Sequence, residues 1–309
     1  MQVVAALIED DRGRVLLAQR PLGKHHAGLW EFPGGKIELG ESAVAALRRE
    51  LREELGIEAV AAVRLMTVIE RRDQFDLHLQ AWRVLEYRGL PRPLEASRLE
   101  WCAPDALPVQ HMPPADLPIA RALQLPAHYV ITADAAAMTE AQWLAKLELL
   151  AIAGARLIRL RCTDPQLRLD AAALSVGEKL LGASGARLIV DLADHAACTH
   201  AETGVHLRSS ELIGLNRRPV PPGTLLLASC HNVNELKAAE TLGVDAVLIS
   251  PVLATPSHPG QAALGWAGFQ ALHAQTHLPA YALGGMRRDL LACARSHGAL
   301  GIAGISGFA

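Results

Sequence analysis

Residues 35 to 57 read GKIELGESAVAALRRELREELGI. The fixed points of this stretch are Gly35, Glu41, Arg49, Glu50, Glu53, Glu54 and Gly56, with aliphatic Leu51 and Ile57 between and after them. The spacing predicts a helix from Ser42 to Leu55, with Ser42 as N-cap and Gly56 ending it. Residues three and four apart share one helix face, so Glu50, Glu53 and Glu54 bring their carboxylates together. Like charges so placed cost about 0.2–0.5 kcal/mol per pair, unless a hard cation such as Mg²⁺ sits among the oxygens. A solvated acidic face is the ordinary meaning of EE and RE runs. Such a face constrains residue identity loosely, and the full set of spacings here argues against it.

Working outward, VVAALI and VLLAQR flank the turn DDRGR and read as strands, and MTVIERR and FDLHLQAWRVLEY follow the helix as two more. A proline-studded stretch, APDALPVQHMPPADLP, then leads to a short helix, IARALQL, and Pro126 is a natural boundary. Beyond it the grammar changes. YVITA, RLIRLR, ARLIVD, TGVHL, TLLLASC, DAVLIS, PAYALGG and LGIAGIS are short apolar runs. Helical patterns such as AQWLAKLELLAIAG and NVNELKAAETLG separate them. Eight such runs with intervening helices suggest a (β/α)₈ barrel, against which a doubly wound open sheet competes. The expected domains are residues 1–126 and 127–309.

Composition agrees with two soluble domains. A chain of 309 residues is long for one. Half of the residues are apolar and a fifth charged, the profile of a globular enzyme with a sizeable core. A net charge of −2 argues against direct nucleic-acid binding and against an anionic membrane surface. The five cysteines are scattered with no CxxC pair, which fits thiols in a reducing compartment. The N-terminus lacks a basic n-region, and no apolar stretch approaches a membrane span. A cytoplasmic location is expected.

The 35–57 stretch is a complete Nudix box, and the first domain resembles Nudix pyrophosphohydrolases. LWEFPGGKIELG from Leu29 and the later MPPADLPIARAL narrow the likeness to the MutT-type branch over about 125 residues. The resemblance implies an α/β/α sandwich that hydrolyses 8-oxo-dGTP to the monophosphate and pyrophosphate, cleaning the nucleotide pool in the service of DNA repair. It implies Mg²⁺, with Mn²⁺ as a substitute, bound by Glu50, Glu53 and Glu54 and completed by the Gly35 carbonyl and Glu95. Arg49 would orient one carboxylate through a bidentate pair. Glu50 is the candidate base, with Glu53 its competitor. Arg20 and Lys24 would meet the triphosphate of a nucleotide substrate, and Phe32 would lie near the base. Asp116 stands where the branch has Asn. An ionised carboxylate only accepts hydrogen bonds, so Asp116 either accepts from a purine edge, carries a raised pKa and donates, or merely caps the helix after it. The adjacent His25 and His26 point apart and suit loop contacts better than shared ligation of a metal.

YVITAD at 129–134, LIRLR at 157–161, TGVHL at 203–207, ASCH at 228–231, SPVLATPSH at 250–258 and ALGGM at 282–286 recur in order. Together they resemble the thiamine phosphate synthase and thiazole tautomerase superfamily, which implies a TIM barrel. The synthases need Mg²⁺ and a cationic cradle for a pyrimidine pyrophosphate. Where they carry Gln-x-Arg-x-Lys, this chain has Arg159, Arg161 and Thr163. At their Asn-Asp pair it has Asp191 and Leu192, their second carboxylate aligns with Glu211, and a lysine is replaced by His258. The phosphate end is retained: Gly284 and Gly285, then Ser306 and Gly307, follow the last two strands. A tight turn competes as the meaning of the glycine pair. Ser229 belongs to the substrate wall. His231 aligns with the acid/base histidine of the tautomerases, against the plainer reading of a structural hydrogen bond. The barrel is expected to bind a phosphorylated, thiazole-like ligand without synthase activity. Two further readings stand beside this one: a thiamine-pathway enzyme throughout, or a barrel that senses a phosphorylated ligand and regulates the hydrolase.

Overall fold

The computed structural model describes residues 1–23, 26–164, 166–255 and 262–308. The side chain of Ser306 falls outside this description, as do Lys24, His25 and His258. The chain divides into two compact units, Met1–Leu125 and Pro126–Ala309.

The first unit is mixed α/β. Its elements are β1 (Gln2–Ile8), β2 (Val15–Gln19), β3 (Trp30–Glu31), β4 (Gly34–Lys36), α1 (Ala43–Leu55), β5 (Glu58–Arg71), β6 (Asp76–Arg88), β7 (Arg98–Cys102) and α2 (Leu117–Gln124). One sheet has the order β4-β1-β6-β5 and the other β3-β2-β7. The helix expected from Ser42 forms as read. The Ser42 side chain accepts from the Ala45 amide, and Gly56 closes the helix in the left-handed conformation at φ 67°. Ala46, Leu47, Leu51 and Leu55 give α1 one buried stripe, packed with Val4, Ala6 and Ile8 of β1. The opposite face is left for the charges. β5 begins at Glu58, well before the expected MTVIERR, because register irregularities near Ala59–Ala62 and Arg64–Met66 let it follow β6 over its full length. The proline-rich stretch folds into three short 3-10 turns that lead into α2.

The second unit is a closed barrel of eight parallel strands, and the eight apolar runs supply them all. They are β8 (His128–Ile131), β9 (Leu157–Arg159), β10 (Arg187–Asp191), β11 (Gly204–Leu207), β12 (Leu226–Cys230), β13 (Ala246–Ile249), β14 (Ala280–Leu283) and β15 (Gly301–Gly304). Among the described residues seven helices alternate with them: α3 (Glu140–Ile152), α4 (Ala171–Ala183), α5 (Leu192–His195), α6 (Ser209–Gly214), α7 (Val233–Leu242), α8 (Gly265–His273) and α9 (Leu291–Ser296). The open-sheet alternative fails at one seam. β15 pairs with β8, with Ile302 opposite His128 and Gly304 opposite Val130. Strands covered on both faces read as continuous apolar runs, which is why these short segments were visible in the sequence. Among the described residues no helix is long and apolar enough to cross a membrane.

Candidate active sites

In the first unit, α1 and the loops around β3 and β4 enclose a cleft of about 570 Å³. Glu50 and Glu54 line it from the helix. Gly34, Gly35 and Lys36 line it from β4, and Glu95 contributes from its own loop. Arg20, Glu31, Phe32 and Asp116 complete the wall. Most residues expected to bind nucleotide and metal therefore share one cavity. Glu53 is the exception. It is absent from the lining, and its side chain is half exposed.

Arg49 organises the acidic face differently from expectation. Its bidentate partner is Glu41, with Nε and Nη2 donating at 3.1 and 2.9 Å. Nη1 gives one bond to Glu50 at 2.8 Å and a longer one to Glu53 at 3.3 Å, and Nη2 also donates to the Lys36 carbonyl at 2.9 Å. Arg49 thus ties the helix to β4 and holds Glu50 by a single contact. Glu54 lies deeper. The Gly34 amide donates to it at 3.0 Å. Burial, then the neighbouring carboxylates Glu31, Glu50 and Glu95, push its carboxyl up to about 7.

The five expected ligands do not form a ready-made cage. Among the described residues no three His, Cys, Asp or Glu side chains are grouped to hold a metal. The hydrogen bonds give the reason, since Glu50 and Glu53 both turn toward Arg49. The donor set still suits a hard cation. Among the described residues, five carboxyls (Glu31, Glu50, Glu54, Glu95 and Asp116) line the cleft against three basic side chains, Arg20, Lys36 and Arg72. Oxygen donors crowded enough to hold a proton near neutrality are what Mg²⁺ or Mn²⁺ would relieve.

The same cleft holds a residue that the sequence does not mark as functional, Glu31. Glu31 is ion-paired with Arg20, so the guanidinium expected to meet phosphate is engaged by a carboxylate. The available signal was alternation in LWEF, which places Glu31 between buried Trp30 and buried Phe32. Asp116 is buried, and it makes no side-chain cap to α2 although it occupies the capping position. The plain capping alternative is therefore excluded. Burial and the nearby Glu31 raise its carboxyl well above the usual range, against a smaller opposing effect of Arg20. His26 lines the same cleft, with a positive φ of 62°.

In the barrel a cavity of about 350 Å³ opens among the strand ends. Arg159, Arg161, Ser229, Gly284, Gly285 and Gly307 line it, together with Ser250, Thr255 and Arg287. Gly284 and Gly285 have positive φ of 97° and 67°. A side-chain carbon on either would stand 2.8 Å from the Pro251–Ala254 loop. The pair is thus both a tight turn and the cavity wall. Ser229 Oγ lies 2.8 Å from His206 Nε2, and His206 Nδ1 lies 3.2 Å from the Tyr129 hydroxyl. This relay was not read from the sequence. His206 is fully buried and its pKa is lowered by that burial, so it stays neutral.

Other barrel assignments change. His231 lies outside the cavity lining, and its Nδ1 is bonded to the Ser250 carbonyl at 2.9 Å. The structural reading of that histidine is therefore the one its geometry favours. Arg159 is buried and donates to Asp191 at 2.5 Å, while the other Asp191 oxygen accepts from the Cys162 amide at 3.1 Å. Glu211 is taken up by Arg208, whose amide and guanidinium donate to it at 2.7 and 3.2 Å. Among the described residues no carboxylate lines the cavity. The Mg²⁺ implied by the synthases does not fit this donor set.

Residues 128–308 match the family model described as thiamine monophosphate synthase, and residues 1–123 match the NUDIX domain model. The chain is a Nudix domain joined to a member of the thiamine monophosphate synthase family. The Nudix half is 45% identical over 122 residues to the CTP pyrophosphohydrolase of Escherichia coli (strain K12), covering 40% of this chain and 90% of that one. It is 40% identical over 89 residues to the 8-oxo-dGTP diphosphatase of Proteus vulgaris, covering 29% and 80%. The barrel half is 32% identical over 192 residues to the putative thiamine-phosphate synthase 2 of Aquifex aeolicus (strain VF5), covering 60% and 99%. The Nudix domain is a hydrolase, and the thiamine monophosphate synthase barrel is the fold that carries the second cavity.

Proposed function

We propose that the Nudix domain is a divalent-metal-dependent nucleoside triphosphate pyrophosphohydrolase that acts on 8-oxo-dGTP, releasing the monophosphate and pyrophosphate. The observation that carries this reading is one cleft lined both by Glu50, Glu54 and Glu95 and by Phe32 and Asp116. Glu50 takes the proton of the attacking water, oriented by its single bond from Arg49. Arg20 exchanges Glu31 for a phosphate oxygen when the triphosphate enters. Bound Mg²⁺ or Mn²⁺ supplies screening of the phosphates and a more acidic water. Phe32 gives the base an apolar face. A protonated Asp116 both donates and accepts, the pattern that an amide offers a purine edge.

Likeness to a CTP pyrophosphohydrolase favours a second reading of the base, a pyrimidine in the same subsite. A steady-state panel of 8-oxo-dGTP, dGTP, CTP and thiamine diphosphate with Mg²⁺ separates the possibilities. The first reading expects 8-oxo-dGTP to lead in kcat/KM, and a lead of CTP or thiamine diphosphate sinks it.

For the barrel, the reading is a site for a phosphorylated heterocycle that does not couple a thiazole phosphate to a pyrimidine pyrophosphate. Coupling must ionise a carbon–oxygen bond, and pyrophosphate leaves readily only when cations take up its charge. Leu192 offers no oxygen to a metal, and Thr163 replaces a cation. Formation of thiamine phosphate by the full chain with both substrates and Mg²⁺, at a synthase-like rate, would show this reading to be wrong.

A further inference from the structure

We infer that the barrel takes its phosphorylated ligand as a free anion, without a divalent cation, and that the Arg161 guanidinium meets the charge instead. This rests on the reading of the barrel as a phosphate-ligand site. Among the described residues, four carboxylates that follow barrel strands, Asp134, Asp191, Asp194 and Glu211, are each held by a protein donor. Asp191 is bonded to Arg159 and the Cys162 amide, and Glu211 to Arg208. Asp134 accepts from the Thr163 and Ala136 amides at 3.0 and 3.1 Å, and Asp194 from the Leu169 amide at 3.1 Å. For Asp191 to reach a cation it would have to leave Arg159, stranding a buried guanidinium.

Arg161 is placed the other way. It lines the cavity, and its Nε is buried with no hydrogen-bond acceptor among the described residues. Its backbone is pinned on both sides: its amide donates to Thr132 Oγ1 at 3.1 Å, and its carbonyl accepts from the Ala135 amide at 2.7 Å. A guanidinium so anchored presents a planar fork, which matches phosphate oxygens in pairs. Ser229 and Ser250 add hydroxyls to the same wall. The ligand class is a phosphate or diphosphate ester recognised through its bare oxygens.

The test is calorimetric titration of the full chain with inorganic pyrophosphate, once in EDTA and once with Mg²⁺. Binding is expected in EDTA. Arg161→Ala should weaken it by about tenfold or more, and Arg161→Lys by less, because one charged bidentate contact is lost or made monodentate. Arg20→Ala, in the Nudix domain, should leave the EDTA isotherm in place, which assigns it to the barrel. Binding that appears only with Mg²⁺ overturns the cation-free site; the phosphate-site reading stands if that binding survives Arg20→Ala and fails if Arg20→Ala removes it, since the Nudix cleft is the other place for metal and pyrophosphate. An EDTA isotherm unmoved by either Arg161 substitution in folded protein also overturns it. No pyrophosphate binding under either condition defeats both readings.

Discussion

A side-chain carbon on Gly35 would lie 2.4 Å from the carboxyl carbon of Glu50, so the second glycine of β4 is the surface on which the candidate base rests. The obstruction is the tip of a flexible side chain, not backbone. Gly35→Ala should therefore fold with a melting temperature near that of the parent, yet lose about tenfold or more in kcat as Glu50 is displaced, within the range for a lost transition-state contact. Unchanged kcat in a folded variant would show that the placement of Glu50 is immaterial.

The two neighbouring glutamates should separate. Glu54 is half-buried in the cleft, whereas Glu53 faces solvent and Arg49. Glu54→Gln is expected to lower kcat by about 10²-fold or more, and Glu53→Gln by clearly less. Equal losses in Mg²⁺-saturated assays would mean that Glu53 turns into the cleft during turnover.

Glu54 also sets a pH dependence. Its carboxyl is raised from 4.5 to about 7 in the folded protein, so the folded state keeps a proton that the unfolded chain releases. Its contribution to metal-free stability is fully present below about pH 4.5 and is lost as pH rises toward 7. A cation must displace that proton, so Mg²⁺ should raise the melting temperature more at pH 8 than at pH 6. An equal Mg²⁺ effect at both values would contradict the assignment of Glu54 as a ligand.

If Asp116 reads the base as a neutral acid, its amide should serve as well. Asp116→Asn should preserve the ratio of kcat/KM for 8-oxo-dGTP over dGTP, whereas Asp116→Ala should collapse it. The raised carboxyl also favours the fold below the usual carboxylate range and disfavours it as pH rises. Asp116→Asn should therefore remove part of any loss of stability toward alkaline pH, as read by urea unfolding. A preference that survives Asp116→Ala would place base discrimination elsewhere.

In the barrel, Asp191→Ala leaves buried Arg159 without its partner. The expected cost is about 3–5 kcal/mol in urea unfolding, and the double change Arg159→Met with Asp191→Leu should recover much of it. A single-variant cost below about 1 kcal/mol would mean that water reaches the guanidinium.

How much of this was legible depended on the range of the contacts. The helix period alone placed Glu50 and Glu54 toward one face, because residues three and four apart are neighbours whatever the helix packs against. The same local logic marked Ser42 and Gly56 as its ends. The eight barrel strands showed as apolar runs, since each is covered on both faces. Arg49 does hold the expected ligand Glu50, but only by one bond, and its bidentate partner is Glu41, eight residues back in the loop between β4 and α1. The acid/base role of His231 comes from its match to the tautomerase histidine, with a structural hydrogen bond as the alternative. Its neighbour across β12 and β13, the Ser250 carbonyl, decided otherwise.

The sequence by itself determined the chemistry available: which acids lie along α1, where the glycine turns fall, and that the barrel lacks a second acidic residue beside Asp191. Those features are set by residue identity and short spacing. Only the tertiary structure decided which charges meet. Arg20 and Glu31 come from opposite sides of a loop, and Arg159 and Asp191 lie thirty-two residues apart. Strand adjacency brings these partners together, and burial then shifts the carboxyls of Glu54 and Asp116 up and the imidazole of His206 down. Desolvation is a property of the assembled fold, because the water that it removes is displaced by residues from every part of each domain.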